Sequence, residues 1–124
     1  MLRAILSLLR SSPKPAECTL AVLRNERTES DTRYLAASFS PDGDLVVEGQ
    51  DLGSGVEAAF GCREYEWTWT VANANLPRLA EALGASSDLL RAMERRFCGP
   101  AAAHLMTFLQ ENQIPFKSWS RIGD

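Results

Sequence analysis

The most regular alternation of apolar and polar positions lies in residues 64–71, which read EYEWTWTV. One set of alternate positions is Tyr65, Trp67, Trp69 and Val71, and the other is Glu64, Glu66, Thr68 and Thr70. A period of two with aromatic and β-branched residues predicts a strand with one buried face. Because each large ring can bury about 150–250 Å², we expect a central strand of an antiparallel sheet, with helices on its aromatic face. Trp67 and Trp69 should both be largely buried.

Weaker patterns predict four further strands, two of which form a hairpin. Residues 19–23 read TLAVL and predict a first strand. Residues 33–50 predict a hairpin, because its turn, Ser40-Pro41-Asp42-Gly43-Asp44, has proline and glycine where a tight turn fixes φ and reverses the chain. Residues 114–121 look extended, and the proline at position 115 indicates an edge strand.

Apolar residues at helical spacing predict three helices between the central strand and the last one. The first ends at Gly84, the second has Ser87 as its N-cap, and the third follows the break at Gly99 and Pro100. A single helical turn at residues 56–60 precedes the central strand. Most of the predicted strands precede the helices, and one strand follows them. This order of elements favours the α+β class: an antiparallel sheet of about four to five strands with a block of three helices packed on one face.

The length of 124 residues and the 45% hydrophobic content suit one soluble domain. We predict an N-terminal helical or flexible extension at residues 1–16 and a single α+β domain at residues 17–124. The first apolar run ends at Arg10 and is too short for a signal peptide, and no run approaches the roughly 18 residues that span a bilayer. These features predict a cytoplasmic protein without a membrane span.

The cysteine and histidine content predicts neither a disulfide framework nor a metal site. Three cysteines, Cys18, Cys62 and Cys98, form no CxxC pair, and an odd number favours free thiols in a reducing compartment. Cys98 and the single histidine, His104, are separated by a helix break, so we interpret Cys98 as a buried thiol at a helix end. We expect no cofactor and no catalytic residue.

Charge is unevenly distributed along the chain, whose formal net charge is −3. Residues 34–66 hold seven acidic residues and one basic residue, Arg63, which gives −6, while the two flanking parts sum to +3. This balance disfavours a nucleic-acid binder. If the hairpin and the central strand are neighbours, their outer faces form an acidic surface that would attract a basic partner.

Three motifs carry a resemblance to known proteins: EGQDLG at residues 48–53, EYEW at residues 64–67 and WSRIGD at residues 119–124. In these motifs the chain resembles small uncharacterised α+β proteins common in actinomycetes, some of which are similar to immunity proteins of polymorphic toxin systems. The resemblance covers residues 34–124 and implies no catalytic residues. It implies a protein partner, and an acidic surface would fit a basic toxin.

The leading hypothesis is a non-catalytic protein-binding domain, in particular an immunity-like inhibitor of a basic toxin. The expected partner-binding residues are Asp42, Asp44, Glu48, Asp51, Glu64, Glu66 and Arg121. An alternative is a small enzyme or ligand-binding domain that uses the carboxylates of Asp51, Glu64 and Glu66 with Arg121; by strand rise the two glutamates lie about 6.8 Å apart. A third hypothesis is a structural or regulatory domain of a larger assembly, docked through its N-terminal helix. The sequence leaves the oligomeric state open.

Overall fold

The computed structural model describes residues 19–61 and 63–123, so the predicted extension at residues 1–16, Cys18 and Cys62 lie outside the described residues. The described strands form one antiparallel sheet in which each strand pairs with its neighbours in sequence. The five strands are β1 (Ala21–Arg27), β2 (Asp31–Phe39), β3 (Leu45–Gly53), β4 (Glu64–Val71) and β5 (Lys117–Gly123). The predicted antiparallel sheet of the α+β class is therefore confirmed.

The helices of the described chain lie between β3 and β5. They are α1 (Ser54–Phe60), α2 (Leu76–Leu83), α3 (Leu89–Phe97) and α4 (Leu105–Glu111), with short 3-10 segments at Asn73–Asn75 and Gly99–His104. The third predicted helix is thus a 3-10 segment followed by α4. The N-cap of α3 is Asp88 rather than Ser87, because the Asp88 carboxylate accepts a hydrogen bond of 3.1 Å from the Arg91 backbone N–H. Helix α2 ends at Gly84, as predicted, in the left-handed conformation.

Helices α2 to α4 pack on one face of the sheet, which we call the inner face. Three strands contribute fully buried residues to it: Ala37, Val47 and Val71 have no exposed surface. The helices contribute fully buried Leu79, Leu90, Met93, Leu105 and Leu109 to the same core cluster. This burial supplies the main favourable contribution to folding, about 25 cal/mol per Å² of apolar surface removed from water.

The aromatic row of β4 lies on the inner face, but the helices cover only part of it. Val71 is fully buried, whereas Trp67 and Trp69 are partly buried against the core. Both tryptophans, expected to be largely buried, pack against the core with an intermediate exposure and are not completely enclosed. Each ring also has a neighbour outside the helices: the Trp69 ring lies 5.9 Å from the ring of Phe116, and the Trp67 ring covers Gly49 of β3. In the sheet order, β4 is an interior strand next to the edge strand β5, and β3 holds the centre.

Cys98 differs from the sequence-based expectation. It follows α3 as predicted, but it is an exposed free thiol rather than a buried one. The reason is the end of the helix, because the preceding residue, Phe97, fills the core and the chain leaves the helix at Cys98 with extended backbone angles. A side chain one position further along a helix points about 100° away from the buried stripe.

Candidate functional site

The face of the sheet opposite the helices, here called the outer face, carries most of the predicted partner-binding residues. Strand register decides this, because residues directly opposite each other on paired strands point to the same face. One row across four strands is Tyr34, Gln50, Glu66 and Arg121. The adjacent row is Ala36, Glu48, Thr68 and Trp119. Glu48, Glu66 and Arg121, distant in sequence, therefore lie on one surface.

Two glutamates of β4 are held together by the amide of Gln50 on β3. Gln50 Nε2 donates to Glu64 Oε2 at 2.9 Å and to Glu66 Oε2 at 3.2 Å. Arg121 Nη2 lies 3.4 Å from the same oxygen of Glu66, and the Glu66 side chain is 27% exposed. A carboxylate that accepts several hydrogen bonds beside a cation is stabilised in its charged form. The two glutamates are therefore fixed in position before any partner arrives.

The pKa of Glu66 lies below its usual value of 4.5. The largest cause is a side-chain hydrogen bond with Glu64, which lowers the pKa. Desolvation raises it, but the charge of Arg121 and the hydrogen bonds from Gln50 and Arg121 lower it further, so the net change is downward. Glu66 is consequently ionised at neutral pH, and its negative charge is partly balanced by Arg121.

A shallow groove of about 460 Å³ opens on the outer face beside these glutamates. Its lining residues are Tyr34, Glu48, Gly49, Gln50, Glu66, Trp67, Thr68 and Trp119, all of them from strands β2 to β5. Trp119 is 53% exposed, and Glu48 is exposed. We call this feature the outer-face groove. It combines the carboxylates of Glu48 and Glu66 with the accessible indole ring of Trp119, the two kinds of group that attract a cationic side chain.

Asp42 and Asp44 lie away from the groove, at the turn that joins β2 and β3. The Asp44 carboxylate accepts a hydrogen bond of 2.9 Å from the Asn73 backbone N–H, and the Asn73 side-chain amide donates to the Asp42 carbonyl oxygen at 3.0 Å. These contacts attach the hairpin turn to the end of β4. The structure therefore gives Asp44 a role in the fold and does not bring it to the groove.

Asp51 points to the inner face, opposite in direction to Glu64 and Glu66. Its register partners are Arg33 on β2 and Tyr65 on β4, and both belong to the inner row. Partial burial raises the pKa of Asp51 above 3.8, against the opposing charges of Arg33 and Arg24. The cluster that the enzyme alternative requires is not formed, because Asp51 and the two glutamates lie on different faces.

Three residues of this surface were not expected from the sequence: Tyr34, Gln50 and Trp119. Gln50 lies two positions after Glu48 in β3, so both side chains point to the same face of the sheet. The alternation of side chains along the strand could therefore have placed Gln50 on the outer face. Trp119 required the pairing of β4 with β5, which brings it opposite Thr68. That pairing connects residues about fifty positions apart, and no local pattern specifies it.

No protein-family model, curated protein or solved structure matches this chain. Among residues 19–61 and 63–123, no helix is long and apolar enough to cross a membrane. Within the same ranges, no three side chains of His, Cys, Asp or Glu gather in a group that could hold a metal ion.

Proposed function

We propose that the chain is a non-catalytic binding domain that recognises a basic protein through its outer face, and that it acts as an immunity-like inhibitor of a toxin. The observation that carries the proposal is the outer-face groove, in which ionised Glu66 and exposed Glu48 lie beside an accessible Trp119. An arginine or lysine side chain of the partner would enter between the indole and the carboxylates. Contacts of this kind contribute about 0.5–2 kcal/mol for the cation and the ring alone.

Preorganisation supports this use of the surface. Gln50 and Arg121 already hold the glutamates, so little side-chain freedom is lost on binding. The charge concentrated in residues 34–66 acts over a longer range and increases the rate of encounter with a basic partner. The resemblance of the sequence motifs to immunity proteins supports an inhibitor that binds a basic surface of its toxin.

The test measures association between the purified chain and the purified product of the adjacent gene, by biolayer interferometry at increasing salt. We expect the association rate to fall as salt rises past about 0.15 M, where the screening length is near 8 Å. The variant Glu48→Lys/Glu64→Lys/Glu66→Lys should slow association strongly. A matched control, Glu81→Lys/Glu94→Lys/Glu111→Lys, changes the net charge equally on the helices and should have a much smaller effect.

Two results would reject the proposal. One is binding that is indifferent to both salt and the outer-face variant. The other is the absence of binding both to that gene product and to the cationic peptide acetyl-(Gly-Arg)₄-amide. Thermal protection by a sugar or an acidic ligand, without binding of the peptide, would favour the alternative of a ligand-binding domain that uses the Glu64 and Glu66 pair.

A further inference from the structure

The edge strand β5 is the most exposed strand of the sheet. Every residue from Lys117 to Ile122 is exposed, and two are large and apolar: Trp119 at 53% and Ile122 at 47%. Among the described residues, β4 is the strand that pairs with β5. The other side of β5 presents backbone N–H and C=O groups along seven residues, which is a template for a further strand.

The two apolar side chains of β5 lie on opposite faces of the sheet. Trp119 is opposite Thr68 on the outer face, and Ile122 is opposite Tyr65 on the inner face. A partner that lay on one face could cover only one of them. A strand added at the edge places side chains beside both, because its own residues alternate between the same two faces.

The opposite edge of the sheet is protected in ways that β5 is not. Strand β1 has an irregularity between Val22 and Arg24, where the intervening Leu23 turns into the core and is 1% exposed. A bulge of this kind bends the edge and interrupts regular pairing. Helix α3 and the 3-10 segment Gly99–His104 also pack against β1. The pairing-competent edge of the described sheet is therefore β5.

We propose that β5 pairs in antiparallel orientation with β5 of a second copy of this chain. A two-fold axis that passes between the two Ser120 residues relates the copies. In this register Trp119 of each copy lies opposite Arg121 of the other, Ser118 opposite Ile122, and Lys117 opposite Gly123. Two indole–guanidinium pairs form across the axis, and such pairs are attractive. The dimer has one continuous ten-stranded sheet with both outer faces on the same side.

Neighbouring registers are less favourable for electrostatic reasons. A two-fold axis at Trp119 would place Lys117 opposite Arg121 twice, and an axis at Arg121 would place two Arg121 side chains against each other. Like charges directly opposite on paired strands destabilise the pair. Only the axis at Ser120 combines a full seven-residue overlap with no opposed like charges. The pairing does not require the proposed toxin partner, but it involves Trp119 and Arg121, which also contribute to the outer-face groove and to the position of Glu66.

The register is tested with single cysteines in the full-length chain, after Cys18, Cys62 and Cys98 are changed to serine. At an axis through Ser120, the two copies of that residue have Cα atoms about 4.5–5.5 Å apart, within the disulfide range of about 4.4–6.8 Å. Ser120→Cys should therefore cross-link to a dimer under mild oxidation. Ser118→Cys is the matched control, because its copies would be separated by about 14 Å along the strands.

Sedimentation equilibrium of the unmodified chain should show a reversible monomer–dimer equilibrium. Trp119→Lys places a lysine of each copy opposite Arg121 of the other, so two pairs of like charges flank the two-fold axis. This variant should weaken dimerisation at least tenfold while the circular dichroism spectrum stays unchanged. A monomeric mass at all concentrations up to about 0.5 mM, together with failure of Ser120→Cys to cross-link, would overturn the proposal. Equal or faster cross-linking through Ser118→Cys would reject this register.

Discussion

Strand β4 presents two faces that meet different surroundings, although their residues alternate along the same eight positions. On the inner face, Val71 is fully buried under the helices and Trp67 covers Gly49. On the outer face, Glu64 and Glu66 are held by an amide and a guanidinium, and the neighbouring groove is open. The two faces therefore differ in role: the inner face stabilises the fold, and the outer face is available to a partner.

The largest expected difference between the faces concerns stability. Leu90→Ala removes a fully buried side chain that packs on the inner face, and it should lower the free energy of unfolding by about 2–5 kcal/mol. Thr68→Ala, in the outer-face groove, should lower it by about 1 kcal/mol or less. Urea denaturation measures both. Equal losses would contradict the division of roles between the two faces.

The contact between Trp67 and Gly49 allows a test within the inner face. A Cβ atom at position 49 would overlap the Trp67 ring, so Gly49→Ala must displace the indole. We expect a loss of about 1–3 kcal/mol, typical of overpacking. In a Trp67→Leu background the same change should cost clearly less, because the obstructing ring is gone. Additive losses would show that the indole does not lie over Gly49 in solution.

The turn between β2 and β3 tests whether acidic residues outside the groove serve the fold. Asp44→Ala removes the acceptor for the Asn73 backbone N–H and should cost about 1 kcal/mol. Asp42→Ala is the matched control, because Asp42 contacts Asn73 through its backbone carbonyl, which the substitution keeps. Thermal denaturation should therefore separate the two variants. Similar melting temperatures would assign no structural role to the Asp44 carboxylate.

The smallest effect concerns pH, and its sign differs between the faces. The pKa of Glu66 is lowered by folding, so its ionised form stabilises the fold above about pH 4.5, and this contribution is lost as pH falls through the lower folded value. The pKa of Asp51 is raised, so its contribution is present below pH 3.8 and is lost as pH rises through the folded value.

Neutral substitutions expose this difference in sign. At pH 7, Glu66→Gln should lower the melting temperature, whereas Asp51→Asn should leave it unchanged or raise it. Both differences should become smaller as pH falls and the carboxyl groups of Glu66 and Asp51 bind protons. Melting curves recorded from pH 3 to pH 7 provide the measurement. A stabilising Glu66→Gln at pH 7 would show that its hydrogen bonds and ion pair do not compensate its desolvation.

Local patterns in the sequence determined the elements of this protein. Alternation in residues 64–71 specifies a strand with two unlike faces, and the turn at residues 40–44 specifies the hairpin. The periodicity of apolar residues predicts α2 and α3, and it predicts the place of α4 less precisely. These features depend on residues within a few positions of one another, so backbone preference and side-chain period are sufficient to predict them.

Only the tertiary structure decided which charged residues share a surface. Asp42, Asp44 and Asp51 belong to the same acidic stretch as Glu48, Glu64 and Glu66, yet two lie at a turn and Asp51 lies on the inner face. Trp119 and Arg121 join the glutamates through the pairing of β5 with β4. Strand register sets these positions, and a shift of one residue would reverse every face. Register follows from long-range pairing and packing, which no local pattern encodes.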